Sequence, residues 1–292
     1  MAATEAVHTV TMTDPTEPPE LAREDVLTLD DTRFAGDNVA LVTGAGSGIG
    51  RATALALAHN GLTAVATDID EDGLDQTIDK HDELDLDGTI ETVAGDLTDD
   101  DDIDRVVDRA ADCGQITFLA NIAGLQTVAP IEEFPMGKYD MMQEAMLRAP
   151  LALTKGCLPH MREGDGGAVG NMCSIHGHYV TRDKVAYNMM KFGLRGLTQS
   201  IAAEGDGDVR AFSFSTAYVK TPLVTNQIAD TAEERGISEQ EVVEDVMLGE
   251  ARVKEMMDPI EVANVFTMGF SEHASHLDGG DLLFDGGYTL TY

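Results

Sequence analysis

The stretch that decides the fold is VALVTGAGSGIGRATALALA, residues 39–58. Its first four residues are continuously apolar, which is typical of a short strand buried on both faces of a sheet. Helix-forming residues fill 52–58, so the glycines of 44–50 lie between a strand and a helix. Glycines there let the backbone approach a pyrophosphate, and the free N–H groups of the helix point at the anion. The stretch therefore predicts a dinucleotide-binding turn.

Short apolar runs alternate with helical patterns over the rest of the chain. Beyond residues 39–42, the runs that predict strands are 64–66, 90–94, 116–120, 168–172, 209–214 and 282–284. Strands that alternate with helices indicate a doubly wound α/β domain with a parallel sheet, which we assign to residues 35–292. Residues 217–257 interrupt the alternation with a polar, acidic stretch and predict a mobile flap over a substrate site.

Acidic residues dominate the charge. The 292 residues include 53 Asp and Glu but only 19 Lys and Arg, a formal net charge of −34. That charge argues against nucleic acid or anionic lipid as a partner. Because concentrated salt screens the self-repulsion, with a Debye length of about 3 Å at 1 M, we expect a salt-adapted protein like those of salt-accumulating archaea. Residues 1–34, acidic and without a hydrophobic period, predict a mobile N-terminal extension.

The start of the sequence, the length of its apolar runs and the spacing of its cysteines indicate the cellular compartment of the protein. The chain has no run of about 18 apolar residues and no basic, apolar signal at its start, so we expect a cytoplasmic protein. The three cysteines, Cys113, Cys157 and Cys173, lack metal-ligand spacing. We therefore expect free thiols in a reducing compartment and no metal site.

An acidic residue ends the second predicted strand. A carboxylate at the position of Asp68 accepts hydrogen bonds from a ribose diol and repels a 2′-phosphate. No Arg or Lys occupies positions 45, 47 or 69 to accommodate that phosphate. The pattern favours NAD over NADP as the cofactor.

A second group of residues carries acid–base chemistry. Tyr187 and Lys191 are four apart, so on a helix they share one face. An ammonium beside a phenol favours the phenolate, and we expect Lys191 to lower the pKa of Tyr187. Ser174 follows the fifth predicted strand at its carboxyl end, where open α/β sheets bind ligands. The three residues predict proton exchange with an alcohol.

In this order, the motifs resemble the short-chain dehydrogenase/reductase family over residues 37–292. They are TGxxxGxG at 43–50, Asp96, Asn121-Ile122-Ala123-Gly124, YxxxK at 187–191 and Asp285-Gly286-Gly287. The resemblance implies a seven-stranded sheet ordered 3-2-1-4-5-6-7, catalytic Ser174, Tyr187 and Lys191, and a homotetramer. It also implies that NAD is bound by Thr43, Gly44, Ser47, Gly48, Ile49, Gly50, Asp68, Asp96, Leu97, Asn121, Ala123, Gly124, Tyr187, Lys191 and Val219.

Four further stretches are similar to bacterial soluble 3-hydroxybutyrate dehydrogenases: 124–135, 149–151, 158–161 and 221–224. This closer resemblance implies reversible oxidation of (R)-3-hydroxybutyrate to acetoacetate, a step of ketone body metabolism. It also implies that Gln126, His176, Lys184 and Gln227 hold the substrate carboxylate. Because His176 is two residues from Ser174 and Lys184 is three from Tyr187, both are expected near the reacting centre.

Two positions depart from the family pattern. Met146 stands where the family usually has an asparagine that holds a water in the proton relay, and Thr216-Ala217 replaces the usual Pro-Gly. Two alternatives therefore stay open. One is a dehydrogenase for another small hydroxy acid or alcohol, and the other is an NAD-binding or scaffold protein without turnover.

Overall fold

The computed structural model describes residues 16–290, with a parallel sheet at its centre. Each strand predicted from an apolar run is present. The strands are β1 (Asn38–Thr43), β2 (Thr63–Asp68), β3 (Thr89–Ala94), β4 (Gln115–Asn121), β5 (Gly167–Met172), β6 (Val209–Thr216) and β7 (Asp281–Phe284).

The sheet order is β3-β2-β1-β4-β5-β6-β7, which confirms the order expected from the resemblance. Strand β1 pairs in parallel with both β2 and β4, so successive strands are added first on one side of β1 and then on the other. Ligands bind open α/β sheets where the order reverses, outside the carboxyl ends of the strands. The topology therefore places a site between the ends of β1 and β4.

Helices cover both faces of this sheet. They are α1 (Gly48–His59), α2 (Glu71–Leu84), α3 (Asp100–Cys113), α4 (Met136–Gln143), α5 (Ala149–Glu163), α6 (Val185–Gly205), α7 (Pro222–Arg235), α8 (Glu239–Glu241) and α9 (Pro259–Phe270). A π-helical turn, Glu144–Arg148, joins α4 to α5. Within residues 16–290, no helix has both the length and the apolar character needed to cross a membrane.

The alternation of side chains along β1 divides the core into two layers. Ala40 and Val42 point into the layer that contains Leu57 of α1 and Phe266 of α9. Val39 and Leu41 point into the opposite layer with α3 and α5. Because both faces are buried, every second residue of the strand must be apolar on each side, which explains the continuous apolar run.

The described part of the N-terminal extension packs against the domain. Val26 is buried against α1 and α9, and Phe34 is buried against the ring of Phe118. The Asn60 side chain accepts from Leu29 N–H and donates to the Leu27 carbonyl, both at 2.8 Å. The packed chain thus begins before the boundary predicted at residue 35, since residues 26–34 do carry apolar anchors. Residues 1–15 lie outside the described residues.

The segment predicted as a flap, 217–257, is largely helical. It contains α7, α8 and a π-helical turn, Val242–Met247. These pack on each other through a small core of their own that includes Ile228, Val243 and Met247. At its base, Val219 bridges to Met257, and Lys220 forms an ion pair with Asp258 at 2.7 Å. The two ends of the segment therefore contact each other where it leaves and rejoins the domain. The mobility of the segment stays a prediction.

Candidate active site

A cavity of about 510 Å³ opens where the strand order reverses. The glycine turn and the ends of β2, β4, β5 and β6 form its floor, and the start of the 217–257 segment forms one wall. Ser174, Tyr187 and Lys191 line the same cavity. The cofactor-binding turn and the acid–base residues predicted separately from the sequence therefore face one space.

The glycine turn is held against the backbone of residues 122 and 123, which follow β4. Thr43 Oγ1 accepts hydrogen bonds from the N–H groups of Ile122 and Ala123, at 2.9 and 3.0 Å. Gly44 has φ +67°, and a Cβ there would lie 2.9 Å from Ala123 Cα. A side chain at position 44 is therefore excluded by both strain and space. The N-terminus of α1 is left facing the cavity, as an anion site requires.

Asp68 lies across the turn at the end of β2. Its carboxylate accepts from Gly46 N–H at 2.9 Å and from Asp70 N–H at 3.1 Å. The nearby Arg51 guanidinium is engaged elsewhere, because it donates to the carbonyls of Gly46 and Gly73 and to Thr77 Oγ1. Burial lowers the pKa of Arg51, while the carboxylates of Asp70 and Asp68 oppose that shift. Arg51 therefore stabilises the turn.

All but two of the residues predicted to bind the cofactor line the cavity. The exceptions, Thr43 and Asn121, lie in the floor strands and shape the cavity through their neighbours. Asn121 donates to Asn171 Oδ1 at 2.8 Å, and its own Oδ1 is buried without a hydrogen-bond partner among the described residues. A carboxylate at the edge of the cavity, a glycine turn that excludes a side chain at position 44 and an orphaned amide oxygen together fit a dinucleotide.

Ser174, Tyr187 and Lys191 meet at the cavity although their elements differ. Ser174 follows β5 and is the N-cap of a short 3₁₀ turn, while Tyr187 and Lys191 lie one turn apart on α6. Lys191 Nζ lies 5.3 Å from the Tyr187 ring centroid and donates to the Met172 carbonyl at 2.7 Å. The predicted triad is thus assembled in one place, and its catalytic role stays a prediction.

The acidity of Tyr187 differs from the expectation. Burial raises the pKa of Tyr187 well above its ordinary value, and hydrogen bonding with Ser174 only partly offsets this shift. Burial also lowers the pKa of Lys191, to about 8. The expected lowering of the tyrosine pKa by Lys191 is not found in this arrangement, because removal of the phenol from water outweighs the hydrogen bonding with Ser174.

His176 and Lys184 lie behind the catalytic pair. The His176 ring packs edge-on against the Tyr187 ring, with centroids 5.5 Å apart. Its Nδ1 lies 3.2 Å from Ser174 Oγ and its Nε2 lies 3.0 Å from Thr181 Oγ1, so both ring nitrogens have partners. Burial, followed by the charges of Lys184 and Lys191, lowers the pKa of His176 to about 3. His176 is therefore neutral at physiological pH.

Lys184 is a half-buried cation at the start of α6. Burial lowers its pKa to about 8. No carboxylate among the side chains that the structure describes lies within ion-pair distance of its ammonium, whereas Lys80 and Lys220 each have an acidic partner. Four other lysines, Lys138, Lys155, Lys191 and Lys254, also lack an ion pair among the described side chains, but of these only Lys191 is buried.

The remaining two predicted substrate residues contact each other. Gln126 Nε2 donates to Gln227 Oε1 at 3.0 Å, which ties the loop after β4 to α7. Gln227 Nε2 donates to the Leu223 carbonyl. Gln126 and Gln227 thus form one contacting pair, the charge of Lys184 acts on His176, and none of the four residues is among those that line the cavity.

The two departures from the family pattern also lie at the site. Met146 is buried in the π-helical turn and packs with Met142, Met190 and the Tyr187 ring. Thr216 and Ala217 line the cavity. Tyr218, the next residue, is held against the ring of Tyr288 at 6.0 Å.

Two contributors were missed in the sequence. Thr181 partners His176, and Arg51 clamps the glycine turn. Thr181 lies in a loop of irregular backbone, where no periodicity points to it. Arg51 could have been noticed as a cation placed directly after the last glycine of the motif.

Comparison with known proteins agrees with this geometry. The family model for short chain dehydrogenases matches residues 38–232. The chain belongs to the short-chain dehydrogenase family. It is accordingly an oxidoreductase with a nicotinamide cofactor, which fits the cavity described above.

Individual relatives of this short-chain dehydrogenase differ in substrate. A D-beta-hydroxybutyrate dehydrogenase of Rhizobium meliloti is 32% identical and covers 86% of this chain and 98% of its own. An uncharacterized oxidoreductase of Bacillus subtilis, YxjF, has the same identity and coverage. A crystal structure of L-sorbose reductase from Gluconobacter frateurii, complexed with NADPH and L-sorbose, superposes with a TM-score of 0.83 at 27% identity, covering 90% of this chain and 100% of its own.

Proposed function

We propose that this short-chain dehydrogenase interconverts (R)-3-hydroxybutyrate and acetoacetate with NAD. The observation that carries the proposal is the half-buried ammonium of Lys184, which has no carboxylate partner among the described side chains and whose charge acts on His176. A buried cation normally has an anionic partner, and an anionic substrate supplies one here. The hydroxybutyrate dehydrogenase among the relatives supports the same substrate class.

The catalytic residues act on the hydroxyl end of the substrate. A bound nicotinamide would supply the acceptor for the hydride of the carbinol carbon. Tyr187 takes the hydroxyl proton, and Ser174 hydrogen-bonds the substrate oxygen. Lys191, fixed by the Met172 carbonyl, holds the nicotinamide ribose and keeps positive charge close to the phenol. These roles are carried over from the family pattern.

Lys184 binds the carboxylate end. It supplies the charge, while His176, Gln126 and Gln227 supply neutral hydrogen-bonding groups around it. The amides of the two glutamines already contact each other, so they must exchange this contact when the substrate binds, whereas His176 keeps its contacts with Ser174 and Thr181. The engaged donors favour, as a second candidate, another small hydroxy acid or alcohol that needs fewer of them.

NAD is proposed over NADP because of the charges at the adenosine end. The Asp68 carboxylate faces the turn, and the nearest cation, Arg51, is occupied by carbonyl groups. A 2′-phosphate would meet a negative charge without a free cation to offset it. Retention of Ser174, Tyr187 and Lys191 in one cavity argues against a scaffold without turnover.

The assembly proposed is a homotetramer in the cytoplasm. Leu151 of α5, and Met189 and Phe192 of α6, are large apolar side chains between 44% and 55% exposed. Apolar side chains on neighbouring helices are typical of subunit contacts.

A substrate panel tests the proposal. Cofactor reduction is measured in molar KCl with (R)-3-hydroxybutyrate, its (S) enantiomer, other short hydroxy acids and butan-2-ol, each with NAD and with NADP. We expect the highest kcat/KM for (R)-3-hydroxybutyrate with NAD. Equal or higher kcat/KM for butan-2-ol would contradict the carboxylate clamp.

A further inference from the structure

Tyr187 lies between an apolar side and a polar side. On one side it packs with Met142, Met146 and Met190, none of which can carry a proton. On the other side its hydroxyl interacts with Ser174, and the His176 ring lies against its own ring. A proton that leaves Tyr187 through side chains must therefore leave toward Ser174 or Lys191.

The polar side continues as a chain of hydrogen bonds. From Ser174 Oγ the next atom is His176 Nδ1 at 3.2 Å, and from His176 Nε2 the next is Thr181 Oγ1 at 3.0 Å. Thr181 lies between two exposed residues, Val180 and Arg182. The Asn188 side chain donates to the Thr181 carbonyl at 3.0 Å, which fixes the loop. The chain thus runs from the buried phenol to a surface loop.

We propose that Ser174, His176 and Thr181 form a proton relay between Tyr187 and solvent. The inference rests on the proposed function only in requiring that Tyr187 exchange a proton with an alcohol. In oxidation, Tyr187 receives the substrate proton and passes its own to Ser174 Oγ. Ser174 passes one to His176 Nδ1, His176 Nε2 releases one to Thr181 Oγ1, and Thr181 releases one to water. Each group ends as neutral as it began, with His176 now protonated at Nδ1 rather than Nε2; the transfers of reduction run backward and restore the first tautomer, and repeated oxidation requires proton exchange with solvent to restore it.

Two properties of the site require these transfers to be concerted. Burial raises the pKa of Tyr187, so a stable phenolate is disfavoured and its proton must leave as the substrate proton arrives. His176 faces the cations Lys184 and Lys191, so an imidazolium is disfavoured as well. A neutral imidazole that accepts at one nitrogen while it donates from the other satisfies both conditions.

Thr181 provides the sharpest test because it has no role in the proposed substrate clamp. Thr181→Val removes the hydroxyl at nearly constant volume, and Thr181→Ser keeps it as the matched control. The single-turnover rate of cofactor reduction is measured in H₂O and D₂O with the fastest neutral alcohol of the substrate panel, which does not need the carboxylate clamp. For Thr181→Val we expect an about tenfold lower rate, a larger solvent isotope effect and recovery of rate with added imidazole. Thr181→Ser should resemble the wild type.

A second variant separates relay from positioning. His176→Asn offers an amide near the place of Nδ1, so Ser174 keeps a partner, but an amide does not pass a proton on. We expect a similar loss of rate and a similar rise in the isotope effect. Wild-type rates in Thr181→Val or His176→Asn, or a loss that neither isotope nor imidazole changes, would overturn the relay. The choice of alcohol keeps this test valid if 3-hydroxybutyrate proves not to be the substrate, whereas no turnover on any alcohol would overturn both proposals.

Discussion

The glycine turn and the 217–257 segment face each other across one cavity, but they are held in different ways. The turn is fixed by backbone contacts to the sheet, and a Cβ at Gly44 would collide with Ala123. The 217–257 segment has its own small core and is tied to the domain at its base by the Lys220–Asp258 pair. The proposed cofactor site therefore rests on rigid backbone, whereas of the four proposed carboxylate ligands only Gln227 is carried by this separately packed segment.

This difference explains how one fold can serve several substrates. A change in 217–257 alters the wall of the cavity, and the side chain of Thr221 is where this segment comes close to Gly48 of the turn. A change in the glycine turn disturbs both the turn and the 217–257 segment. The predictions below separate the two regions, from the largest expected effect to the smallest.

The reacting centre lies between the two regions and should give the largest effect. Tyr187→Phe removes the hydroxyl and keeps the ring, so kcat should fall by at least about 10²-fold while NAD still binds. Steady-state assays together with NAD titration by fluorescence measure both quantities. Tyr139→Phe is the matched control, since Tyr139 packs on the same methionine cluster but does not line the cavity. Normal turnover of Tyr187→Phe would remove Tyr187 from the mechanism.

The cofactor region is tested at Asp68. Asp68→Ala loses a charged acceptor, worth about 1.5 kcal/mol or more, so KM for NAD should rise about tenfold and NADP should be used better. KM for the alcohol should stay nearly constant, because Asp68 belongs to the turn side. Asp75→Ala, an exposed acid of α2, makes the same change in net charge and controls for it. A wild-type enzyme that prefers NADP would refute the assignment.

The sequence predicted the rigid region much better than the variable one. The apolar run of β1 and the glycines of 44–50 indicated strand, turn and helix, because burial on both faces and close backbone approach leave few alternatives. Val26 and Phe34 were missed, since two anchors in an acidic stretch show no period. The partners of His176 could not be predicted, because Thr181 reaches it through a loop. The expected lowering of the Tyr187 pKa was not found, because burial of the phenol depends on the whole fold and cannot be predicted from the spacing of Tyr187 and Lys191.

The pH dependence should distinguish the ends of the substrate. Burial lowers the pKa of Lys184 to about 8, so its ammonium is charged below that pH and loses its proton above it. The ratio of kcat/KM for 3-hydroxybutyrate to that for butan-2-ol should therefore fall severalfold between about pH 7 and pH 9. The ratio cancels the titration of Lys191, which affects both substrates. A ratio independent of pH would argue against an ammonium at the carboxylate.

Salt should change the thermal stability of both regions together, and this is the least specific of the expected effects. Repulsion among the excess acidic residues is screened by KCl, so the thermal unfolding midpoint should rise from dilute buffer to molar KCl. Calorimetry or circular dichroism across that range measures the shift. A flat or falling midpoint would contradict the salt-adaptation hypothesis.

The central claim is that Lys184 binds the carboxylate of the substrate, and a paired assay of Lys184→Met tests it most directly. Methionine keeps the length of the side chain and removes the charge, and Lys138→Met on the exposed surface of α4 is the matched control. We expect kcat/KM for (R)-3-hydroxybutyrate to fall by about 2–4 kcal/mol, or roughly 30- to 1000-fold, mainly through KM, with little change for butan-2-ol. Equal losses on both substrates would mean that Lys184 supports the fold or Tyr187, and the carboxylate clamp would be wrong.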